Sequence, residues 1–299
     1  MYDICCVGHI TLDKVATPKS VLYMAGGTSF YFSNAMSGLN LKYLLVTSLA
    51  QKEIHFADQL RNKGIEVNLT LSTHTVYFEN IYSGNQDKRK QRVLQKADPF
   101  TTAQLLNINA KVYHLGPLLA DDIPVECIKT LSERGIVSLD VQGYLRTVKD
   151  KKVCAVDWTE KKEALRYVHI LKASRTELEV LTAQKDVRKG AKMLNEWGVK
   201  EVIVTLGSMG SVIYKDGFFY NIPAYRPVTD VVDATGCGDT YMAGYLYKWI
   251  KGAGAKEAGE FAAAMATLKI ESSGPFTGTE EDIVKLLANN TKEVCVNEI

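Results

Sequence analysis

The sequence predicts an α/β protein built on a mainly parallel sheet covered by helices on both faces. Two observations carry this. Short apolar runs alternate with amphipathic stretches along most of the 299 residues, the pattern of repeated βαβ units. Within the runs Val, Ile and Leu follow one another without polar–apolar alternation, as in strands buried on both faces.

The elements read in order as follows. Ile4–Gly8 is a strand whose adjacent Cys5 and Cys6 point to opposite faces. Lys14–Met24 breaks the pattern, and Gly26-Gly27-Thr28-Ser29 then opens a helix carrying Phe30, Tyr31, Met36 and Leu39. Strand Tyr43–Ser48 and helix Lys52–Lys63 follow. Leu69–Leu94 is a second irregular region. In it, residues 75–82 and a short later run flank the polar stretch 83–90, which reads as a β-hairpin. The regions 14–24 and 69–94 together suit a small sheet projecting from the main body, either a lid over a site or a surface extension or dimer contact. Strand Lys111–Leu115, helix Ile123–Arg134 and strands Ile136–Asp140 and Val168–Leu171 come next. Helices Arg175–Thr182 and Val187–Trp197 lead to strand Glu201–Leu206. Ser211–Tyr214 and Phe218–Ile222 flank Lys215-Asp216-Gly217, and Asp-Gly is a strong hairpin signal. Helices Gly238–Ile250, Ala255–Glu271 and Glu280–Ala288 complete the chain. No repeat, low-complexity segment or linker divides it, so residues 1–299 read as a single domain.

Composition narrows the function classes. At 46% hydrophobic and 23% charged the chain is an ordinary globule, and a net charge of +2 gives no reason to expect nucleic acid or an acidic membrane surface. The start carries Asp3 and no basic segment, which argues against a signal peptide. No apolar run approaches the ~18 residues of a membrane span. The six cysteines form no C-x-x-C pair and read as reduced, buried thiols of a cytoplasmic protein. His9, His55, His74, His114 and His169 show no metal-ligand spacing. The P-loop pattern is absent, and no G-x-G-x-x-G follows the first strand, which sets aside P-loop kinases and dinucleotide dehydrogenases.

Asp233-Ala234-Thr235-Gly236-Cys237-Gly238-Asp239-Thr240 is the most informative stretch. Backbone N–H groups at a helix start hold anionic oxygens, and glycines let them approach a phosphate closely. A carboxylate beside such a pocket makes sense if it takes the proton of a hydroxyl attacking phosphorus. Asp239 is then the base, and Gly236, Cys237 and Gly238 supply donors to the phosphoryl oxygens, where fixed charge stabilisation is the larger effect. The structural alternative is an aspartate that caps the helix.

Other segments carry weaker signals. Gly26 and Gly27 form either a turn or a close approach for a polyol. Asp13, just past the first strand, sits where ligands of open α/β sheets collect, and a carboxylate there could grip vicinal hydroxyls; the structural alternative is a loop aspartate. Ser174-Arg175-Thr176-Glu177 is a capping box; its functional alternative places Glu177 at waters around a Mg²⁺. Val204 to Gly210 is a strand end followed by a Gly-rich turn; its functional alternative is that Thr205 or the turn backbone meets a nucleotide. Lys88-Arg89-Lys90 reads as a solvated hairpin tip.

In combination and order these segments resemble the ribokinase-like (PfkB) carbohydrate kinase family, from about Gly8 to Pro275. The family pattern runs from an early G-x-x-x-x-D through a Gly-Gly helix start, N-x-x-E and T-x-G to D-T-x-G-A-G-D. The resemblance implies a three-layer α/β/α domain with a small β lid. It implies ATP and Mg²⁺, with Asp239 the catalytic base, Gly236-Cys237-Gly238 the anion hole and Glu177, beside Ser174, ordering Mg²⁺ through water. Thr205, Gly207 and Gly210 would border ATP; Asp13, Gly26, Gly27, Tyr31 and Arg146 would line the acceptor. On the same ground a monovalent cation (K⁺) would sit near Asp233 and Ser273-Gly274, and a homodimer would form through the lid.

The departures bear on the acceptor. Ala234 replaces the usual Thr, Cys237 the usual Ala, and Ser174 the Asn of N-x-x-E. Tyr31 stands where ribose and fructose kinases carry a substrate-binding Asn. Gly-Gly followed by Asn34, with Asp140-Val141-Gln142 and Arg146, looks more like the myo-inositol kinase branch. Lys88, Arg89 and Arg146 would instead suit a phosphorylated sugar. The expectation is an ATP-dependent kinase of a small sugar or polyol; the alternatives are a nucleoside kinase of the same family and a catalytically silent member acting as a binding or regulatory protein.

Overall fold

The computed structural model describes residues 1–18, 20–82 and 89–296. Fifteen strands and ten helices make up the described chain. The strands are β1 Tyr2–Val7, β2 Thr11–Ala16, β3 Val21–Gly26, β4 Tyr43–Leu49, β5 Glu66–Leu71, β6 Val76–Tyr82, β7 Arg89–Gln95, β8 Ala110–Leu115, β9 Ile136–Asp140, β10 Arg146–Lys149, β11 Lys152–Ala155, β12 Ile170–Ser174, β13 Glu201–Thr205, β14 Ser211–Lys215 and β15 Phe218–Ile222. The helices are α1 Thr28–Met36, α2 His55–Arg61, α3 Thr102–Leu105, α4 Val125–Ser132, α5 Lys161–Ala164, α6 Arg175–Thr182, α7 Val187–Glu196, α8 Cys237–Ile250, α9 Ala255–Ile270 and α10 Glu280–Val296.

The large sheet has nine strands in the order β15-β14-β13-β12-β9-β8-β1-β4-β5. Every pairing from β13 across to β5 is parallel; β14 and β15 close the edge antiparallel. One face packs on α1, α2, α8, α9 and α10 through residues such as Cys6, Phe32, Leu60, Tyr245, Met265 and Ile283. The other packs on α3 to α7 through Cys5, Leu105, Ile128, Ala164, Leu178 and Leu194. These are the three expected layers, and the neighbours Cys5 and Cys6 fall in opposite cores because side chains alternate along a strand.

The second sheet is six-stranded, in the order β10-β11-β7-β6-β2-β3. Its extent differs from the expected 14–24 and 69–94 in two ways. Residues 69–71 belong to β5, in register with Thr47, Ser48 and Leu49 of the large sheet. The hairpin of β10 and β11 joins the second sheet at β7, and it carries no strand signal in the amino-acid pattern. Its turn is Asp150-Lys151, both at positive φ, without the glycine that announces such turns. Asp216-Gly217 between β14 and β15 also has both residues at positive φ, and there the glycine made it readable. Of the expected hairpin tip Lys88-Arg89-Lys90, Lys88 lies outside the described residues, while Arg89 and Lys90 are not at a tip but open β7, paired with Tyr82 and Ile81 of β6.

Element ends also move for local reasons. Helix Lys52–Lys63 resolves into a 3₁₀ turn, Gln51–Glu53, followed by α2. Pro124 is the N-cap of α4, so that helix starts after Ile123. The strand expected at Val168–Leu171 is shifted to Ile170–Ser174, after a 3₁₀ turn at Leu165–Tyr167. Among the described residues no helix is long and apolar enough to cross a membrane.

Candidate active site

The carboxyl ends of β1, β8, β9, β12 and β13 lie along one edge of the large sheet, where open α/β folds gather ligands. Close packing there depends on small residues. A Cβ on Gly8 would meet the Gly116 carbonyl at 2.7 Å, and one on Gly116 would meet the Thr28 methyl at 2.5 Å. The amino end of α1 therefore comes directly onto the strand ends.

The loop 233–236 leads into α8 on this edge. Asp233 Oδ1 accepts from the Thr235 N–H (2.9 Å), which bends the chain, and Gly236 takes a left-handed conformation at φ 78° as N-cap. No side chain caps α8, so Asp239 is not a capping residue. The N–H of Cys237 turns to the Ala234 carbonyl at 3.2 Å. Those of Gly236, Gly238 and Asp239 have no acceptor among the described residues. The donors left for an anion are thus these three, rather than the expected set that included Cys237. They add to the positive end of a 14-residue helix.

Asp239 stands in the first turn of α8, partly buried. Burial and the nearby Asp140 charge push its pKa up to about 7, against the pull of Lys172, a hydrogen bond from the Thr28 hydroxyl, and Arg146. Such a carboxylate is poised to accept a proton near neutrality.

Lys172 was missed in the sequence. It lies on β12 at 5% exposure and bonds Asp140 Oδ2 at 2.7 Å. Burial pulls its pKa down, but the carboxylates of Asp140, Glu177 and Asp239 outweigh that and hold it above the usual lysine value. A Cβ on Gly238 would stand 2.9 Å from its Nζ. A side chain at Gly238 would therefore press on the ammonium and displace it from its place beside the loop. Asp140 is the one acceptor bonded to Nζ among the described residues, which leaves two N–H donors at the anion loop. A charged residue inside the apolar run Ile170-Leu171-Lys172-Ala173 was the signal available.

The remaining expected residues divide. Asp13 Oδ1 accepts from the Thr11 hydroxyl (2.6 Å), and its other oxygen abuts Gly26, where a Cβ would clash at 2.4 Å. Gly27, at φ 88°, is N-cap of α1 and leads into Thr28, so Asp13, Gly26 and Gly27 join the Asp239 cluster. Arg146, at the start of β10, reaches it from the second sheet through its charge. Tyr31 is buried, its ring against Gly236; it packs on the anion loop. The amide of Asn34 is committed to the Phe30 carbonyl (2.8 Å) and the Lys63 ammonium (2.5 Å), a structural use.

Ser174 and Glu177 form the expected capping box: Ser174 N–H donates to Glu177 Oε2 (2.7 Å) and Glu177 N–H to Ser174 Oγ (3.3 Å). Glu177 Oε1 accepts from Gln142 at 3.4 Å, so the carboxylate keeps room for water. Thr205 pairs with Ser174 across β12 and β13. Gly207 is exposed, and Gly210 at φ 86° passes so close to the Ile222 carbonyl that a Cβ would stand at 2.0 Å. Beyond, residues Arg226 to Val231 line an open cavity of about 540 Å³ directly before the anion loop, with Val228, Val231 and Val232 exposed.

By strand register one face of the second sheet carries Asp13, Phe78, Asn80, Gln91 and Val93. Asn80 and Gln91 face each other and share an amide hydrogen bond of 3.1 Å. The opposite face carries the ion pairs of Glu79 with Lys14 and Arg92.

Comparison with known proteins shows the family and the fold of the chain. The model of the pfkB family carbohydrate kinases matches residues 3–282. A cytidine kinase of Thermococcus kodakarensis is 27% identical over 84% of this chain and 90% of its own. A nucleoside kinase of Methanocaldococcus jannaschii is 24% identical over 92% of each chain. Among solved structures, a pyrophosphate-dependent kinase of the ribokinase family, complexed with a pyrophosphate analog and myo-inositol, superposes at TM-score 0.85 with 28% identity, covering 94% of this chain and 99% of that one.

Proposed function

The chain belongs to the pfkB family of carbohydrate kinases, and from that premise we propose that it transfers the γ-phosphoryl group of ATP to a hydroxyl of a small sugar or polyol, an inositol foremost. The observation that carries the reading is Asp239, held near neutrality beside three N–H donors without an acceptor among the described residues and the Lys172 ammonium. The acceptor oxygen attacks phosphorus and forms the new P–O bond. Its proton passes to Asp239, and the bridging P–O bond breaks with its electron pair leaving on the nucleoside diphosphate. The N–H groups of Gly236, Gly238 and Asp239 and the Lys172 ammonium face the charge that builds on the phosphoryl oxygens.

Asp13, opened to ligand by Gly26, and the amide pair Asn80–Gln91 suit an acceptor rich in hydroxyls, with Arg146 completing its border. The second sheet would then act as a lid that excludes water. Thr205, Gly207 and Gly210 lead to the donor, and the exposed valines before the anion loop offer an apolar surface to a nucleobase. Glu177 keeps room for the waters of a Mg²⁺ ion, which would neutralise donor phosphate charge when bound.

Pyrophosphate is the second donor reading, supported by the 28% identical solved relative. A nucleoside is the second acceptor reading, supported by the cytidine and nucleoside kinase relatives. A screen of inositols, hexoses, pentoses, sugar phosphates and nucleosides against ATP and pyrophosphate, read as release of ADP or inorganic phosphate, tests all of these. ADP appearing only with an inositol is the expected result; phosphate release from pyrophosphate replaces the donor. Product with neither donor for any acceptor would leave a silent binding protein.

A further inference from the structure

A second buried lysine stands behind the anion loop. Lys269, near the end of α9, has no exposed surface. Its Nζ donates to the Asp233 carbonyl at 2.8 Å and the Ser272 carbonyl at 3.4 Å, and lies 3.7 Å from Asp233 Oδ2. Two carbonyls and a carboxylate are the oxygen set that a dissolved monovalent cation would take. Ser272 also follows the carboxyl end of α9, the negative end of its dipole. The same helix end receives the loop: the Val232 N–H donates to the Ile270 carbonyl at 2.8 Å. The charge is felt on the loop itself. Burial pushes the Cys237 thiol up to about 12, and Lys269 is the group that pulls against it.

The family resemblance implied a K⁺ ion near Asp233 and Ser273-Gly274. The residues present do not fit one. The Asp233 carbonyl and carboxylate face an ammonium already, and a second cation would stand beside a buried positive charge. We propose that Lys269 is a tethered cation that holds the anion loop in its binding shape, so that this protein needs no dissolved monovalent ion. Lys269 is a positioning residue, acting through Asp233 and the loop that follows. The turnover arm of its test rests on the kinase reading above; the melting arm does not.

The experiment compares wild type, Lys269→Ala and Lys269→Met in K⁺, Na⁺ and tetramethylammonium salts. For wild type, turnover within about twofold across the salts and an unchanged melting temperature are expected. Lys269→Ala leaves room for an ion: it should melt lower in tetramethylammonium, regain melting temperature in K⁺, and recover turnover by about tenfold or more. Lys269→Met fills the space without charge and should recover nothing in any salt. Wild-type melting or turnover that rises severalfold with K⁺ overturns the proposal, as does a Lys269→Ala protein indifferent to every cation. The wild-type arm decides even if the alanine variant fails to fold. Melts that behave as expected in a protein that phosphorylates nothing would sink the kinase reading and leave Lys269 as the loop's cation.

Discussion

Charges on the two sheets are held in opposite ways. On the edge of the large sheet, Lys172 and Asp140 are 5% and 1% exposed and bonded at 2.7 Å, with the anion loop packed on them. On the far face of the second sheet, Glu79 bridges Lys14 and Arg92, whose side chains are 26% and 44% exposed. A charge lost from the first region leaves its partner buried without compensation. In the second, Glu79 is also buried, but it has two cations, so one of these partly exposed cations can be lost and replaced by water while the other keeps Glu79 paired. Charges of the first kind can act on a reacting group, because no water screens them. Those of the second kind hold strands together weakly. Mutations ordered by expected effect should trace this difference.

The largest effect belongs to Asp239→Asn. A general base contributes roughly 10²–10⁴ in rate, so turnover should fall by about a thousandfold while donor binding, followed by calorimetry, changes little. Near-normal turnover would remove Asp239 as the base. In wild type Asp239 must be ionised to take the proton, so with a pKa of about 7 kcat/KM should fall as pH drops below about 7 and level off above it. After burial, the Asp140 charge is what raises Asp239, so Asp140→Asn should move that limb to lower pH. A limb that stays in place would break the coupling. The same shift has a stability consequence. The folded state holds a proton that the unfolded chain releases, so this group's contribution weakens as pH rises from the usual Asp range toward 7.

Lys172→Met comes next. If Lys172 holds the phosphoryl group as proposed, removing it costs about 10²–10³ in turnover, and stranding Asp140 costs about 3–5 kcal/mol of stability. The double variant Lys172→Met/Asp140→Asn separates the two effects. Its melting temperature should recover, since neither residue is then charged, while turnover stays low. Recovery of both would reduce Lys172 to a structural ion pair. Smaller again is Asp13→Asn, which keeps the shape beside Gly26 but removes the charge proposed to grip the acceptor hydroxyls. The KM of the acceptor should rise by about tenfold, the scale of one charge-assisted hydrogen bond, with the KM of the donor unchanged; equal rises in both would place Asp13 outside the acceptor site.

The same contrast explains what could be read in the sequence. The layers, most strands and the anion loop were legible because their signals are local: apolar runs, Asp-Gly at 216–217, glycines around Cys237. Gly26 and Asp13 were legible as types, though their mutual contact was not. Lys172 and Asp140 lie 32 positions apart, and nothing short of the β9–β12 pairing brings them together. The β10–β11 hairpin was hidden for a different reason. Its turn places Asp150 and Lys151 at φ 49° and 62°, a conformation in which lysine is unusual, so no residue type marks it. Arg146 consequently had a motif but no position until that strand was placed on the second sheet.

The smallest expected effect is the sharpest test of the contrast. Arg92→Ala removes a half-exposed guanidinium that bonds Glu79 at 3.0 Å. Glu79 keeps Lys14 at 2.9 Å, so its charge stays paired, and water covers the site of the lost one. The loss should stay under about 1 kcal/mol in chemical denaturation and shrink further in high salt, where exposed pairs are screened. Turnover and both KM values should match wild type, because Arg92 and Glu79 lie on the face opposite Asp13. A loss as large as that for Lys172→Met would mean that this face is covered in solution. A changed acceptor KM would mean that strain in β7 reaches Asn80 and Gln91. Either result would show that the two faces of the second sheet are not energetically separate.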